Sequence, residues 1–292
     1  MQRALQPADR FAGAKYPCEL TGTPVGAEVK HKTSRTEDTR SNRQEKDRLQ
    51  LVWLGVGNER GGGIVLQEYL LELENVSKGH HGVPVLRHVN LRIEAGRMIG
   101  LAGDNGLGKT TLLRLMTGIW RPDGGSIKRG AGRMVCVPSA EEFEPWMRVR
   151  DAVRFYRTYY DCFSSEKARG LLADSGLSEN DRIYQLSKGQ QERLFLILTI
   201  SQDAQLYLMD EPLSGIDPYF KQNIRQFLLK NLPEGATVIM ATHLLRELEQ
   251  LFDEMIFVTE AGVRQMESDE IRQKYGKSIE QYYLEVIERG KK

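Results

Sequence analysis

From Tyr69 onward, short apolar runs alternate with longer stretches of mixed polarity. The first run, Tyr69-Leu-Leu-Glu-Leu-Glu-Asn-Val76, alternates apolar and polar positions over its second half, the period of a strand with one buried face. The pattern predicts strands at Leu70–Val76, Arg87–Ile93, Met98–Ala102, Gly125–Arg129, Arg133–Val137, Gln205–Met209, Thr237–Ala241 and Glu254–Val258. It predicts helices at Thr110–Thr117, Arg150–Tyr160, Ser165–Ser175, Gly189–Gln202, Pro218–Lys230, Leu244–Leu251 and Ile279–Glu288. Strands and helices in alternation predict an α/β fold, a sheet covered by helices on both faces. No internal repeat is visible.

Residues 1–64 read differently. The stretch His31–Arg48 carries almost no apolar side chains and cannot bury enough surface to offset the entropy of ordering. Leu49–Val56 is a short apolar island, and Gly61-Gly62-Gly63 breaks the chain after it. Two readings stand side by side: a disordered tail, or an upstream extension that is not translated in nature. The second rests on Arg60–Gly63, codable by a purine-rich tract like a ribosome-binding site, just before Val65 and Leu66, codable as start codons. Peptides from residues 1–48 in the natural host would end it.

Composition narrows the class. Apolar residues make up 40% and charged residues 28%, values ordinary for a water-soluble globular chain. A net charge of +1 gives no electrostatic case for nucleic acid, and no nucleic-acid partner is expected. Cys18, Cys136 and Cys162 lie far apart, which argues for a reducing compartment and against a disulfide framework or zinc site. No leader is expected, and the longest apolar run, Leu194–Ile200, falls far short of the about 20 residues that span a bilayer.

Candidate chemistry begins at Gly103-Asp104-Asn105-Gly106-Leu107-Gly108-Lys109-Thr110-Thr111, which fits G-x-x-x-x-G-K-[ST] between a predicted strand and a predicted helix. Its glycines let backbone N–H groups turn onto phosphate oxygens, and the helix N-terminus adds partial positive charge. Lys109 would reach the β- and γ-phosphates of ATP or GTP, and the Thr110 hydroxyl would ligate Mg²⁺. Downstream, the apolar strand Leu206–Met209 ends in Asp210-Glu211-Pro212. Asp210 is placed to hold Mg²⁺, and Glu211 to polarise an attacking water. Leu186-Ser187-Lys188-Gly189-Gln190 opens a helix, with Ser187 as its N-cap. Ser214-Gly-Ile-Asp217 and His243, which ends another apolar strand, are ambiguous alone.

In this order the segments resemble the ATP-hydrolysing domain of ATP-binding-cassette (ABC) transporters over about Leu70–Val263. The family's phosphate loop matches at Gly103–Thr111, its Walker B strand and glutamate at Leu206–Glu211, its signature at Leu186–Gln190, its D-loop at Ser214–Asp217 and its switch histidine at His243. The resemblance implies a P-loop NTPase with a RecA-like core, an antiparallel β subdomain and a short α-helical subdomain. It divides the chain into a core of 65–139 and 187–292 around a helical subdomain at 140–186. It implies ATP and Mg²⁺, and a homodimer or paired ATPase subunit in which Ser187, Gly189 and Gln190 of one subunit close over ATP held by the other. Lys109, Glu211 and His243 would be the catalytic residues. It further implies an integral membrane permease subunit as partner, and a cytoplasmic location on the inner membrane face through that permease. The alternative is an ABC-type ATPase or nucleotide-dependent regulatory module uncoupled from transport.

Three departures matter. Lys188 replaces the signature's usual first glycine, Ser139 stands where the family has its Q-loop glutamine, and the adenine-stacking aromatic is replaced by histidines, of which His80 could stack. Between Ser139 and Leu186 the segment is short and aromatic-rich; most of these rings are expected in a subdomain core, with Val149, Val153, Tyr156 and Tyr160 on one helical face. Phe143-Glu-Pro145-Trp146-Met147 sits where family members meet the permease, and Trp146 or its neighbours are expected in that contact. The compact segment is similar to ATPase subunits of two-gene bacterial exporters of the YtrB-like group.

Overall fold

The computed structural model describes residues 19–20, 69–130, 132–138 and 140–290. The expectations for residues 1–64 therefore fall outside the described residues, apart from Glu19–Leu20, and so does the one for Ser139.

Two sheets organise the chain. The larger has the order β1-β6-β7-β8-β4-β9-β10, where β1 is Glu19–Leu20, β4 Met98–Ala102, β6 Gly132–Cys136, β7 Leu206–Asp210, β8 Thr237–Ala241, β9 Glu254–Thr259 and β10 Gly262–Glu267. Strands β6, β7, β8, β4 and β9 run parallel, and β1 and β10 close the two edges antiparallel. Parallel strands are covered on both faces, so they read as unbroken apolar runs; every residue of β4 and β8 is buried. The smaller sheet is antiparallel, in the order β3-β2-β5: β2 spans Tyr69–His80, β3 Val83–Glu94 and β5 Gly124–Arg129.

The two-residue period of the strands splits the core into two layers. Ile99, Leu101, Leu206, Leu208, Ile239 and Ile256 face one layer, closed by helix α1 (Lys109–Met116) and the small sheet through Leu71, Leu73, Ile93, Leu112 and Leu115. Met98, Ala102, Tyr207, Met209, Met240 and Phe257 face the other. There the cover is helical: α2 (Val149–Tyr159), α3 (Ser165–Asp174), α4 (Lys188–Ile200), α5 (Pro218–Asn231), the single turn α6 (Leu245–Leu248), α7 (Ser268–Tyr275) and α8 (Ile279–Gly290). Helices cover both faces, as expected, and at the first layer an antiparallel sheet shares the cover with α1.

Within the helical segment Tyr156 and Phe163 are buried, with ring centroids 5.4 Å apart, and Phe143 stacks on Phe195 of α4 at 5.0 Å. Tyr159 and Trp146 remain about half exposed, at 52% and 53%.

Tyr207 shows how tightly the site-bearing strands are held. Its buried hydroxyl donates to the Gln202 carbonyl at 2.7 Å and accepts from the Ala204 N–H at 3.2 Å. Tyr207→Phe removes one partner from each of these backbone groups and is expected to cost about 1–3 kcal/mol in urea unfolding.

Candidate functional site

The C-terminal ends of the parallel strands lie level. Leu101 of β4 and Asp210 of β7 both register with Ala241 of β8. The residues that follow, 103–108, Glu211 and 242–243, therefore emerge along one edge of the sheet, the edge where open α/β sheets bind ligands.

After β4 the chain must turn sharply into α1. Gly108, the N-cap of α1, sits at φ 108°, in the left-handed region that favours glycine. A Cβ at Gly103 would stand 2.7 Å from the Val258 carbonyl oxygen, so the loop can lie against β9 only with glycine there. Lys109 is buried, and its Nζ donates to the carbonyls of Gly103 at 2.6 Å and Asp104 at 3.3 Å. Asp104, Asn105 and Gly106 form the exposed crest, while Leu107 packs against the first core layer. The first turn of α1 has no acidic residue, which leaves the positive end of the helix facing the loop.

Thr110 Oγ1 donates to Asp210 Oδ2 at 2.8 Å, joining α1 to the end of β7 across 100 positions of sequence. A hydroxyl and a carboxylate at one point are hard oxygen donors. Among the described residues no group of three or more His, Cys, Asp or Glu residues could hold a metal ion. Mg²⁺ needs no such group, since it takes one or two protein oxygens and completes its shell with phosphate and water. The residues present fit it.

Glu211 lies at φ 50°, a left-handed conformation unfavourable for a residue with a side chain. Its N–H donates to the Ala241 carbonyl at 2.9 Å, which continues the β7–β8 pairing by one residue and holds the turn. The turn brings Glu211 Oε2 to 2.9 Å from Nδ1 of His243. His243 follows Thr242, which is buried and whose hydroxyl accepts from the Leu244 N–H at 3.0 Å.

The remaining site candidates form a second group. Ser187 and Gln190 cap α4 reciprocally: Ser187 N donates to Gln190 Oε1 at 2.9 Å and Gln190 N to Ser187 Oγ at 3.3 Å. A Cβ at Gly189 would come within 2.3 Å of the Gly215 carbonyl oxygen. Glu192, one turn further, accepts from Ser214 Oγ at 2.7 Å and Gly215 N at 2.6 Å, and Arg193 pairs with Asp217 at 2.5 Å. The Phe220 N–H that Asp217 caps, followed by Arg193, holds the Asp217 carboxyl below the usual carboxylate range. Lys188, the departure from the usual signature, points outward at 72% side-chain exposure.

His80 stands beside α1, with Nε2 3.4 Å from Thr111 Oγ1 and its ring edge-on to Trp120 at 4.5 Å. Tyr283, whose hydroxyl donates to Asp104 Oδ1 at 3.0 Å, and Trp120, which packs against His80, are partners of this region that the sequence pattern does not single out. Both arrive from outside the motifs, and no local spacing marks them.

A glycine-bent loop at the end of a parallel sheet, joined through Thr110 to Asp210 beside Glu211 and accompanied by a capped turn at Ser187–Gln190, has the arrangement of a P-loop nucleotide-binding domain of the ATP-binding-cassette type. Comparison with known proteins agrees. The ABC transporter family model matches residues 86–214. The chain is 30% identical over 218 residues to the ABC transporter ATP-binding protein YtrB of Bacillus subtilis, a match covering 70% of this chain and 75% of YtrB. It is 31% identical over 214 residues to the Nod factor export ATP-binding protein I of Rhizobium etli; that match spans 66% of each chain, just under two thirds of the relative's length. A solved ATP-binding subunit of an ABC transporter shares the fold, with a TM-score of 0.64 at 24% identity, over 74% of this chain and 99% of that one. The chain belongs to the ATP-binding proteins of the ABC transporter family.

Proposed function

We propose that this chain is the ATPase subunit of an exporter-type ABC transporter, energising substrate movement through a separately encoded membrane permease. The observation that carries this reading is the meeting, at one sheet edge, of Thr110 with Asp210 and of Glu211 with His243. Residues Gly103, Asp104, Asn105, Gly106, Leu107, Gly108, Lys109, Thr110 and Thr111 cradle the phosphates, with backbone N–H groups and Lys109 as donors. Thr110 and Asp210 would hold Mg²⁺, which would supply positive charge to the phosphates. Glu211 orients and deprotonates the attacking water, and His243 donates to the γ-phosphate. Ser187, Gly189 and Gln190 of a second subunit close over the same nucleotide, so each site is shared and a lone chain is half of two sites.

In this reading the transport path belongs to the permease and this subunit sits on its cytoplasmic face; among the described residues no helix is long and apolar enough to cross a membrane. The likeness to the Nod factor export ATP-binding protein I supports the outward direction. Trp146, half exposed between Phe143 and Met147, which both pack inward, is the anchor for the permease. Trp146→Ala is expected to leave ATP turnover of the purified subunit within about twofold of wild type, since it lies outside the nucleotide site. In detergent extracts of native membranes, the same variant should recover about tenfold less permease, the loss of one aromatic hot spot. Equal recovery would remove Trp146 from the contact. Failure of the wild-type protein to bring down any membrane protein would count against the permease reading itself.

A further inference from the structure

The last helix touches the phosphate loop. On α8, Tyr282 is buried against Phe257 of β9 at 5.6 Å, and Tyr283 stacks on the same ring, with centroids 6.0 Å apart and planes 16° apart. The residue after Phe257 is Val258, whose carbonyl oxygen lies where a side chain at Gly103 would have to go. The end of β9 therefore carries both α8 and the first glycine of the loop. From that platform Tyr283 donates its hydroxyl to Asp104 Oδ1 at 3.0 Å, across 179 positions of sequence. The Asp104 carbonyl in turn accepts from Lys109 Nζ. Asp104 is thus gripped at its side chain by the C-terminal helix and at its backbone by the loop's own lysine. Burial, and then the Asp104 carboxylate, push the Tyr283 pKa up, so the phenol keeps its proton throughout the neutral range.

We propose that Tyr283 is a positioning residue of the phosphate loop, and that through it the C-terminal helix is coupled to nucleotide binding. This rests on the reading of residues 103–111 as the ATP-binding loop. A hydrogen bond to a carboxylate is charge-assisted, among the stronger kinds a side chain makes. It fixes the second residue of the loop before nucleotide arrives, which lowers the ordering cost of binding. It also restrains a carboxylate that would otherwise be free to turn toward the phosphates. Binding linkage is reciprocal: a helix that steadies the loop for nucleotide is itself steadied when nucleotide binds.

The test uses the full-length protein and the fluorescent analogue mant-ATP. Tyr283→Phe, which keeps the ring and its stacking on Phe257, is expected to weaken mant-ATP binding about five- to tenfold, the effect of one charge-assisted hydrogen bond. In an Asp104→Ala background the same Tyr283→Phe change should alter the dissociation constant by less than about twofold, because the partner it acts through is gone. Amide hydrogen exchange over residues 279–287 should slow when ATP is added to the wild type and stay unchanged in Tyr283→Phe. An unaltered dissociation constant in Tyr283→Phe, or an equal penalty in both backgrounds, would overturn the proposal, since the tyrosine would then only pack the helix. A folded wild-type protein that fails to bind mant-ATP at all would instead remove the ATP reading on which the proposal stands.

Discussion

Glu211→Gln is expected to lower ATP turnover about 10²- to 10⁴-fold, the range a positioned general base contributes. Mant-ATP should still bind, and an ATP-loaded dimer should accumulate, visible by light scattering as a doubled mass. The geometry explains why this single atom change is so costly. The Glu211 backbone is held at φ 50° by its bond to Ala241, and that unfavourable turn aims the carboxylate at His243. Glutamine fits the same space and can keep the contact to His243 through its amide oxygen. It cannot take a proton from water. A variant that turned over at the wild-type rate would dismiss Glu211 from the chemistry.

The second large effect is expected at Gly189. A methyl group there would sit 2.3 Å from the Gly215 carbonyl oxygen, a backbone atom that cannot swing aside. Either the start of α4 or the 214–217 loop must move, and Glu192, bonded to Ser214 and Gly215, carries the shift between them. A displacement on the order of 1 Å at residues that complete a reacting site lowers rates about 10²-fold. Gly189→Ala should therefore reduce turnover about 10²-fold. Its mant-ATP affinity should stay within about twofold of wild type, because Lys109 and Thr110 belong to the other group of residues. Weakened single-subunit binding would show that the two groups are not separable as described.

The sequence carried most of this where one residue type meets a local geometric demand. Strands β4 and β8 begin and end at the positions their apolar runs mark, because both faces of each are buried. Ser187 was legible as a cap from the turn it opens. The pattern failed where burial is sparse. In β10 only Met266 is buried, and in α7 only Ser268 and Ile271, so neither element shows a clear period. The helix expected over Leu244–Leu251 shortens to Leu245–Leu248. Contacts made by the folded chain alone were beyond reach: Tyr283 on Asp104, His80 against Trp120, and Glu192 clasping Ser214 and Gly215. Each joins residues far apart in sequence, and none has a spacing that announces it.

The alternation of side chains along β4, β7, β8 and β9 has a consequence for how the molecule fails. The strands that end at the loop, at Asp210 and beside His243 send neighbouring residues into opposite core layers, Tyr207 into one and Leu208 into the other. Neither layer can loosen without slackening the strands that aim the site. The proposed nucleotide pocket is therefore no separate cooperative unit that melts early or survives late. Heat or denaturant should extinguish ATP binding and the native fold in a single transition.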